Sequence, residues 1–241
     1  MFSSMSESFT GRTAVVTGGT GALGRAVVAA LLARGAEVHV TWVVDREVAE
    51  LREHLDGAAR LHLHRADVTD ATAVEELMNG VAGAAGRLDM LANIVGGFAF
   101  GAIEETDPAT WHKMLALNAT SAFLSCRYAV PHMRARRWGR IVNVAAGPAL
   151  GRGAAKMSAY AAAKSAVLNL TYSLSAELVG DGITVNAIVP STIDTPANRE
   201  AMPNANRSTW LDPAEMAEVV AYLLSDAGGI VTGTAVNLSR G

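Results

Sequence analysis

Short runs of apolar residues, rich in valine and isoleucine, recur along the chain and are separated by longer segments with helical periodicity. Runs that are apolar on both faces predict strands buried on both sides, and connections of helical length predict parallel pairing of those strands. The sequence therefore predicts an α/β fold, a doubly wound, Rossmann-like parallel sheet in three α/β/α layers. The predicted strands are Thr13–Thr17, Glu37–Thr41, Leu61–His64, Met90–Asn93, Arg140–Val144, Thr184–Ile188 and Ala235–Leu238.

The length of 241 residues suits one α/β domain with a single buried core. We expect the core over residues 10–189 and 212–241, interrupted by a segment at 190–211 that contains several prolines and asparagines. Such a segment is typical of a mobile lid, although an ordinary surface excursion has the same composition. The sequence therefore predicts one domain over 1–241 in which residues 190–211 cover a substrate.

Charge and composition exclude several classes of partner. A formal net charge of −3 and the lack of a lysine- and arginine-rich block argue against nucleic-acid or membrane binding, which leaves small molecules. Met1–Thr10 is polar and the apolar stretch Ala26–Ala33 is too short to span a bilayer, so we expect a cytoplasmic protein. The single cysteine, Cys126, has no cysteine or histidine at ligand spacing, so we expect a core residue and no metal site.

A glycine-rich turn follows the first predicted strand. The segment Thr17–Gly24 runs directly into Arg25–Ala33, which has the periodicity of an amphipathic helix. Glycine lets the backbone turn tightly and approach a pyrophosphate, and the free N–H groups at a helix start attract negative charge. In this context of strand, turn and helix, the pattern favours a dinucleotide site over a purely structural turn.

Residues after the second and third strands bear on which dinucleotide would bind. An acidic residue at the end of the second strand binds a ribose diol and a basic one accepts a 2′-phosphate, but Trp42 stands there. Asp45 and Arg46 indicate opposite answers, and the absence of a carboxylate at Trp42 favours NADPH slightly over NADH. Asp67 is a candidate acceptor for the adenine amino group or, alternatively, a cap for a helix after Thr69.

Tyr160 and Lys164 lie one turn apart in Ser158–Leu178, a segment with strong helical periodicity. An ammonium beside a phenol stabilises the phenolate, so the spacing predicts that Lys164 lowers the pKa of Tyr160 from about 10 towards neutrality. A phenol tuned in this way suits acid or base catalysis at a carbonyl. A solvated tyrosine and lysine with no catalytic role would have the same spacing.

Several motifs in a consistent order make the chain resemble the short-chain dehydrogenase/reductase family over nearly its whole length. Besides Tyr160-x-x-x-Lys164, the matching segments are Asp89–Gly96, Asn118 and Val185–Thr195. The resemblance implies that Tyr160 donates a proton, that Lys164 lowers its pKa and holds a ribose hydroxyl, and that Asn118 holds a relay water. It also implies cofactor contacts from Gly18, Thr20, Gly21, Leu23, Gly24, Trp42, Asp67, Val68, Asn93, Val95, Tyr160, Lys164, Pro190, Ile193 and Thr195.

The chain departs from the family pattern in three places. Ala22 stands where most single-domain members have glycine, and Ile94–Gly97 replaces the usual Asn-Ala-Gly turn. Ile141–Pro148 has no hydroxyl where the family places a catalytic serine, a type of donor whose loss lowers rates by roughly 10²–10³. The absence implies a different substrate, a substitute donor such as Lys156, or lost activity.

The same departures resemble the dihydropteridine reductase branch of the family, which reduces a quinonoid pterin. The paired glycines Gly96-Gly97 and the lid segment Asp194–Trp210 are similar to that branch. Hydride delivery to a conjugated, imine-like ring builds less oxyanion charge than ketone reduction, so it needs the serine less. Because loops vary freely on this fold, the match indicates a subgroup and not a ligand, and a carbonyl compound or an acyl-linked keto group stays the favoured substrate class.

Side chains beside the expected cleft have two interpretations each. Met202, Trp210 and Phe98–Phe100 would line an apolar substrate pocket or pack the lid against the core. Asp194 would bind a polar substrate or cap a short helix beginning at Pro196.

The residues and the resemblance together predict an NAD(P)H-dependent oxidoreductase that transfers hydride to a carbonyl or a conjugated imine or quinonoid small molecule. A cofactor-binding sensor or scaffold without turnover is the alternative that the missing serine motivates. The resemblance also implies a homotetramer joined through the helix Ser158–Leu178 and a helix around Ala116–Ala129. The same apolar faces would be needed merely to cover the sheet.

Overall fold

The computed structural model describes residues 8–55, 58–151 and 153–240, so residues 1–7, 56–57, 152 and 241 of the predicted domain lie outside the described residues. A seven-stranded, fully parallel sheet in the order β3-β2-β1-β4-β5-β6-β7 forms its centre. This confirms the predicted fold class, and every predicted strand is found with its ends within two residues. The strands are β1 Thr13–Thr17, β2 Glu37–Trp42, β3 Leu61–Arg65, β4 Met90–Asn93, β5 Gly139–Val144, β6 Ile183–Pro190 and β7 Ala235–Leu238.

Helices occupy most of the connections between strands. The predicted helix over Ser158–Leu178 is found with these bounds, whereas the helix after the glycine turn begins at Ala22, earlier than predicted. Among the described residues, no helix is long and apolar enough to cross a membrane. The α-helices are α1 Ala22–Ala33, α2 Asp45–Leu55, α3 Ala71–Ala85, α4 Pro108–Met114, α5 Ser121–Arg136, α6 Ser158–Leu178, α7 Pro196–Ala201 and α8 Pro213–Leu224, with a π-helical turn, Leu115–Thr120, joining α4 to α5.

Successive side chains of the central strand β1 point to opposite faces of the sheet and are buried on both. Val16 packs in one cluster with residues of α1, α2 and α8. Val15 packs in a second cluster with residues of α3, α5 and the end of α6. Cys126 belongs to this second cluster, as expected for a core residue. The continuous apolar runs in the sequence therefore correspond to strands covered by helices on both sides.

The strand order reverses between β1 and β4, which are neighbours in the sheet but are followed by connections that leave in opposite directions. All seven strands are parallel, so their carboxyl ends meet at one edge. In open α/β sheets, ligands bind outside the carboxyl ends of the strands at such a reversal. The predicted cofactor residues at strand ends, from Gly18 after β1 to Thr195 after β6, lie at this edge.

Candidate active site

The glycine turn after β1 is held in place by backbone geometry. Gly18 has a φ of +64°, and its N–H donates to the Thr41 hydroxyl at 3.0 Å. A Cβ on Gly24 would lie 2.2 Å from the Gly18 carbonyl oxygen, so only glycine lets α1 start this close to the turn. Gly21 precedes α1, and no side chain within the described residues caps the helix there. The N–H groups of the first turn therefore face the edge where an anion would bind.

The turns that follow β1 and β4 are locked together at the strand reversal. The Thr17 hydroxyl accepts hydrogen bonds from the N–H groups of Ile94 and Val95 at 3.1 and 3.4 Å. A Cβ on Gly18 would lie 2.9 Å from Val95 Cγ2, which shows how closely the two turns approach. The glycine turn and the Ile94–Gly97 turn thus form one continuous surface at the carboxyl edge of the sheet.

Farther along the same edge, β2 ends at Trp42 and β3 ends at Arg65, and the two residues are paired in register. The Arg65 guanidinium carbon lies 5.6 Å from the Trp42 ring centroid. The indole Nε1 of Trp42 is buried and finds no hydrogen-bond partner among the described residues. A buried N–H without an acceptor is rare in native structures.

Two polar residues near the glycine turn have partners that the sequence did not indicate. The Thr20 hydroxyl donates to Glu47 Oε2 at 2.7 Å, which ties the turn to α2. Asp67 Oδ1 accepts from the N–H and the hydroxyl of Thr69 at 2.9 and 2.7 Å. The cap of α3 is Asp70, so the alternative assignment of Asp67 as that cap is wrong. Asp67 instead shapes the exposed turn next to the buried Val68.

A buried chain of polar side chains crosses the sheet below the cleft. Asn93 Nδ2 donates to Asn143 Oδ1 at 2.8 Å, and Asn143 Nδ2 donates to the Thr171 hydroxyl at 2.9 Å. The Thr171 hydroxyl in turn donates to the Val167 carbonyl at 2.8 Å. This chain links β4, β5 and α6, so it fixes α6 against the strands whose ends it overhangs.

Tyr160 and Lys164 lie on α6 above the end of β5. Lys164 is 5% exposed, and its ammonium donates to the Val144 carbonyl at 2.7 Å. Burial lowers the pKa of Lys164 to about 8. Burial also raises the pKa of Tyr160 above its ordinary value. The prediction that Lys164 lowers the Tyr160 pKa is therefore wrong for this structure, because desolvation of the phenol dominates.

Asn118 lies in the π-helical turn between α4 and α5 and is 1% exposed. Its Nδ2 donates to the Met114 and Gly97 carbonyls at 2.9 and 3.1 Å, and its Oδ1 accepts from the Gly97 N–H at 3.2 Å. A Cβ on Gly96 would lie 2.8 Å from Asn118 Oδ1 and 3.2 Å from Lys164 Nζ. Gly96 is therefore the point where Asn118 and Lys164 meet the turn after β4. The sequence did not predict this contact.

The substrate side of Tyr160 is apolar and open. The Phe98 ring meets the Tyr160 ring edge to face, with centroids 5.0 Å apart, and Phe98 remains 60% exposed. The segment after β5 presents no hydroxyl here, since Ala145 and Ala146 are buried at its start. Lys156, considered as a substitute donor, is exposed with its ammonium 5.9 Å from the Phe100 ring centroid.

The segment 190–211, predicted as a lid, is anchored to the rest of the chain at both ends. The N–H of Leu211 donates to the Thr192 carbonyl at 2.8 Å, and that of Asp194 donates to the Leu211 carbonyl at 2.8 Å. Trp210 is 6% exposed, so most of its side chain packs against the protein. Between these anchors lies α7.

The start of α7 is capped by Thr195, whose Oγ1 accepts from the Asn198 N–H at 3.1 Å. The alternative in which Asp194 caps this helix is wrong. Asp194 forms a two-pronged ion pair with Arg199 at 2.5 and 2.8 Å, and this hydrogen bonding lowers the pKa of the carboxyl group. A cofactor that took the Thr195 hydroxyl would therefore share it with the cap.

Comparisons with known proteins agree with this arrangement. A family model described as short chain dehydrogenase matches residues 12–206. The chain is 34% identical to D-beta-hydroxybutyrate dehydrogenase of Cupriavidus necator over 252 residues, covering 96% of this chain and 97% of that protein. It is 36% identical to cis-4-hydroxycyclohexanecarboxylate dehydrogenase of Sinomonas cyclohexanicum, covering 98% of each chain. The crystal structure of levodione reductase superposes with a TM-score of 0.88 at 29% identity, covering 96% of this chain and 97% of that one.

Proposed function

The chain belongs to the short-chain dehydrogenase family of NAD(P)-dependent oxidoreductases, and we propose that Tyr160 is its proton donor in hydride transfer to a small carbonyl or conjugated imine or quinonoid substrate. The observation that carries the proposal is the meeting of Asn118 and Lys164 at Gly96, one helical turn from Tyr160 and beside the glycine turn. Relatives named as dehydrogenases of hydroxy compounds support a reaction between hydroxyl and carbonyl groups.

A bound nicotinamide supplies or accepts the hydride. The residues of this chain then handle the proton and the geometry. The raised pKa of Tyr160 keeps its phenol protonated at neutral pH, so the hydroxyl is ready to donate to a substrate oxygen or nitrogen. Lys164, held by the Val144 carbonyl, is the proposed partner of a ribose hydroxyl of the cofactor. Asn118 fixes the Gly96-Gly97 turn and is the proposed holder of a relay water.

The missing serine favours substrates that develop little oxyanion charge. Ala145 and Ala146 leave the end of β5 without a hydroxyl, and Lys156 lies over Phe100. Ketone reduction concentrates charge on one oxygen, whereas a conjugated imine or quinonoid ring spreads it. We therefore favour the conjugated class, in line with the resemblance to dihydropteridine reductases, and retain activated carbonyl compounds as the second class.

The cofactor lies, in this proposal, along the carboxyl edge from Trp42 to Thr195. The glycine turn with the start of α1 would hold the pyrophosphate, and Asp67 with Val68 would border the adenine. Lys164 and Tyr160 would hold the nicotinamide ribose, with Asn93 and Val95 lining the middle of the cleft. Pro190, Ile193 and Thr195 would border the nicotinamide, and Gly18, Thr20, Gly21, Leu23 and Gly24 the phosphates.

We propose a preference for NADPH over NADH. No carboxylate stands at Trp42, and the Arg65 guanidinium beside its ring supplies positive charge for a 2′-phosphate. Glu47, hydrogen-bonded to Thr20, opposes this preference because it places negative charge at the glycine turn. The ratio of kcat/KM values for the two cofactors measures which charge dominates.

A homotetramer is the proposed assembly. Phe123 on α5 and Tyr172 on α6 are 47% and 42% exposed, and these helices are the ones that the resemblance implies in the interface. Sedimentation velocity of the purified chain tests this, with a Phe123→Asp, Tyr172→Asp double variant expected to dissociate.

Tyr160→Phe separates an enzyme from a cofactor-binding sensor. We expect turnover to fall by about 10³-fold or more while the cofactor dissociation constant changes little, since the ring and its contact with Phe98 remain. Tyr172→Phe, on the same helix, is the matched control. Unchanged turnover in Tyr160→Phe would reject the proposed proton donor, and a wild type that binds cofactor without turning over would favour the sensor.

A further inference from the structure

We propose that Glu37, His39 and His62 form a binding site for a divalent transition-metal cation of the zinc type on the outer part of the sheet. Glu37 and His39 lie on the same face of β2, and His62 is the register partner of His39 on the edge strand β3. The three donor atoms all lie within 4.8 Å of one another. This cluster is separate from the carboxyl edge that carries Tyr160, because Glu37 begins β2 and His62 is the second residue of β3.

The distances suit a single ion. Glu37 Oε1 lies 3.1 Å from His62 Nε2 and 3.7 Å from His39 Nε2. Ligands that bind one tetrahedral zinc at about 2.0–2.2 Å are separated by roughly 3.4 Å. The His62 side chain is 40% exposed, so its ring can turn out of its stacked position against His39 to face the ion.

The buried His39 is the observation that points to a ligand. Its residue is 4% exposed, and its Nε2 is buried and finds no hydrogen-bond partner among the described residues. Its Nδ1 lies 2.9 Å from His64 Nε2. If His39 Nδ1 carries the proton and donates it to His64, then the His39 Nε2 lone pair faces Glu37 and His62, which is the arrangement of a metal-bound histidine with its outer partner.

An ordinary ion pair does not account for the cluster. A protonated His62 paired with Glu37 would satisfy those two groups but would leave the His39 Nε2 lone pair buried and unsatisfied. Two imidazoles and one carboxylate, with a fourth position open to water, form a donor set typical of Zn²⁺.

Composition and residue spacing do not reveal this site, and from them no metal site was expected. The ligands come from two different strands, and only the register of β2 and β3 brings them together. An ion here would join the edge strand β3 to β2, whose Thr41 hydroxyl holds the Gly18 N–H of the glycine turn.

Zinc titration of metal-free, untagged full-length protein tests the proposal. We expect one Zn²⁺ per chain by calorimetry, and one Co²⁺ per chain with the visible absorption of a four-coordinate site. His62→Ala removes a half-exposed ligand and should weaken Zn²⁺ binding by roughly 100-fold or more, while His64→Ala, which removes the outer partner, should weaken it roughly 10-fold. Circular dichroism confirms that each variant is folded.

His132→Ala is the matched control, because His132 is a half-buried histidine on α5, far from the cluster in sequence, that contacts Asn79 at 2.9 Å. It should bind Zn²⁺ like the wild type. Stoichiometric binding that survives in His62→Ala, equal weakening in His132→Ala, or no stoichiometric binding by the wild type would each overturn the proposal.

Discussion

The glycine turn and the Lys164 cluster lie at the same edge of the sheet but are constructed from different groups. The turn relies on backbone atoms, with Gly24 packed against the Gly18 carbonyl and an uncapped helix start directed at the edge. The cluster relies on side chains of α6 and the π-helical turn, two of them almost fully buried. Backbone N–H groups bind an anion without titrating, whereas the buried side chains of the cluster must carry or transfer protons in a poorly solvated place.

This difference has a thermodynamic consequence. The turn is stable because close packing and dipoles favour it whether or not a ligand is bound. The cluster opposes folding at neutral pH, because burial of the Lys164 ammonium lowers its pKa. Stability and function therefore coincide at the turn and conflict at the cluster, as is common at active sites.

The largest effect is expected at the turn, from Gly24→Ala. Its Cβ would lie 2.2 Å from the Gly18 oxygen and 2.6 Å from the Gly19 Cα, both backbone atoms that cannot move aside. We expect a loss of more than about 3 kcal/mol in the free energy of unfolding and a loss of cofactor binding. Urea denaturation and cofactor titration measure these changes.

Gly80→Ala, in open space on α3, is the control and should be neutral or stabilising by up to about 1 kcal/mol. Equal effects of the two substitutions would contradict this account of the turn.

The next effect is expected at the cluster, from Lys164→Met. The folded pKa of about 8 lies below the unfolded value of 10.5, so the unfolded state binds more protons in between, and stability rises with pH over that range. Burial of the charged ammonium lowers the free energy of unfolding by about 3 kcal/mol at pH 7, and Lys164→Met removes this cost.

The measurement is the free energy of unfolding of wild type minus that of Lys164→Met, taken between pH 7 and 10. The difference should rise with pH in favour of the wild type. The same difference for the exposed Lys113→Met should stay flat. A flat profile for Lys164→Met would show that burial does not perturb this ammonium.

A smaller effect is expected from Ala146→Ser, which returns a hydroxyl to the end of β5. We expect kcat/KM for an unactivated ketone to rise by roughly 10-fold or more, up to about 2 kcal/mol, with little change for a quinonoid substrate. Ala145→Ser, one residue earlier and equally buried, serves as the comparison. If both substrates gain equally, the argument that substrate chemistry compensates for the serine fails.

The smallest effect is expected from Arg65→Glu, at the carboxyl end of β3 beside Trp42. Replacing positive by negative charge beside Trp42 should lower the NADPH to NADH ratio of kcat/KM by roughly 10-fold, about 1.4 kcal/mol. Arg127→Glu alters a similar pair of arginine and Tyr128 ring on α5 and should leave the ratio unchanged. An unchanged ratio in Arg65→Glu would remove the support for an NADPH preference.

The same contrast explains what could be predicted from the sequence. The strands were predicted within two residues because burial on both faces leaves a continuous apolar run, and the glycine turn because its backbone accepts few other residues. The direction of the Tyr160 pKa shift was predicted wrongly. The shift depends on how deeply the phenol is buried, and the spacing of residues along a helix carries no information on burial.

Local contacts set a second limit on prediction. Asp67 and Asp194 were each offered as the N-cap of a helix, but the caps in the structure are the nearby Asp70 for α3 and Thr195 for α7. Sequence alone does not distinguish the two candidates in either pair, since all four side chains can accept a hydrogen bond from a helix N–H group. The histidine cluster was missed, since its ligands meet only through strand pairing.

The most direct test of the central claim is oxidation of NADPH and NADH by the purified wild type, followed by absorbance. The panel contains a quinonoid dihydropterin, quinones, ketones and β-ketoacyl thioesters. We predict turnover with at least one substrate, fastest with a conjugated one, which would establish hydride transfer without the serine. Tight cofactor binding with no turnover across the panel would contradict the claim and favour a cofactor sensor.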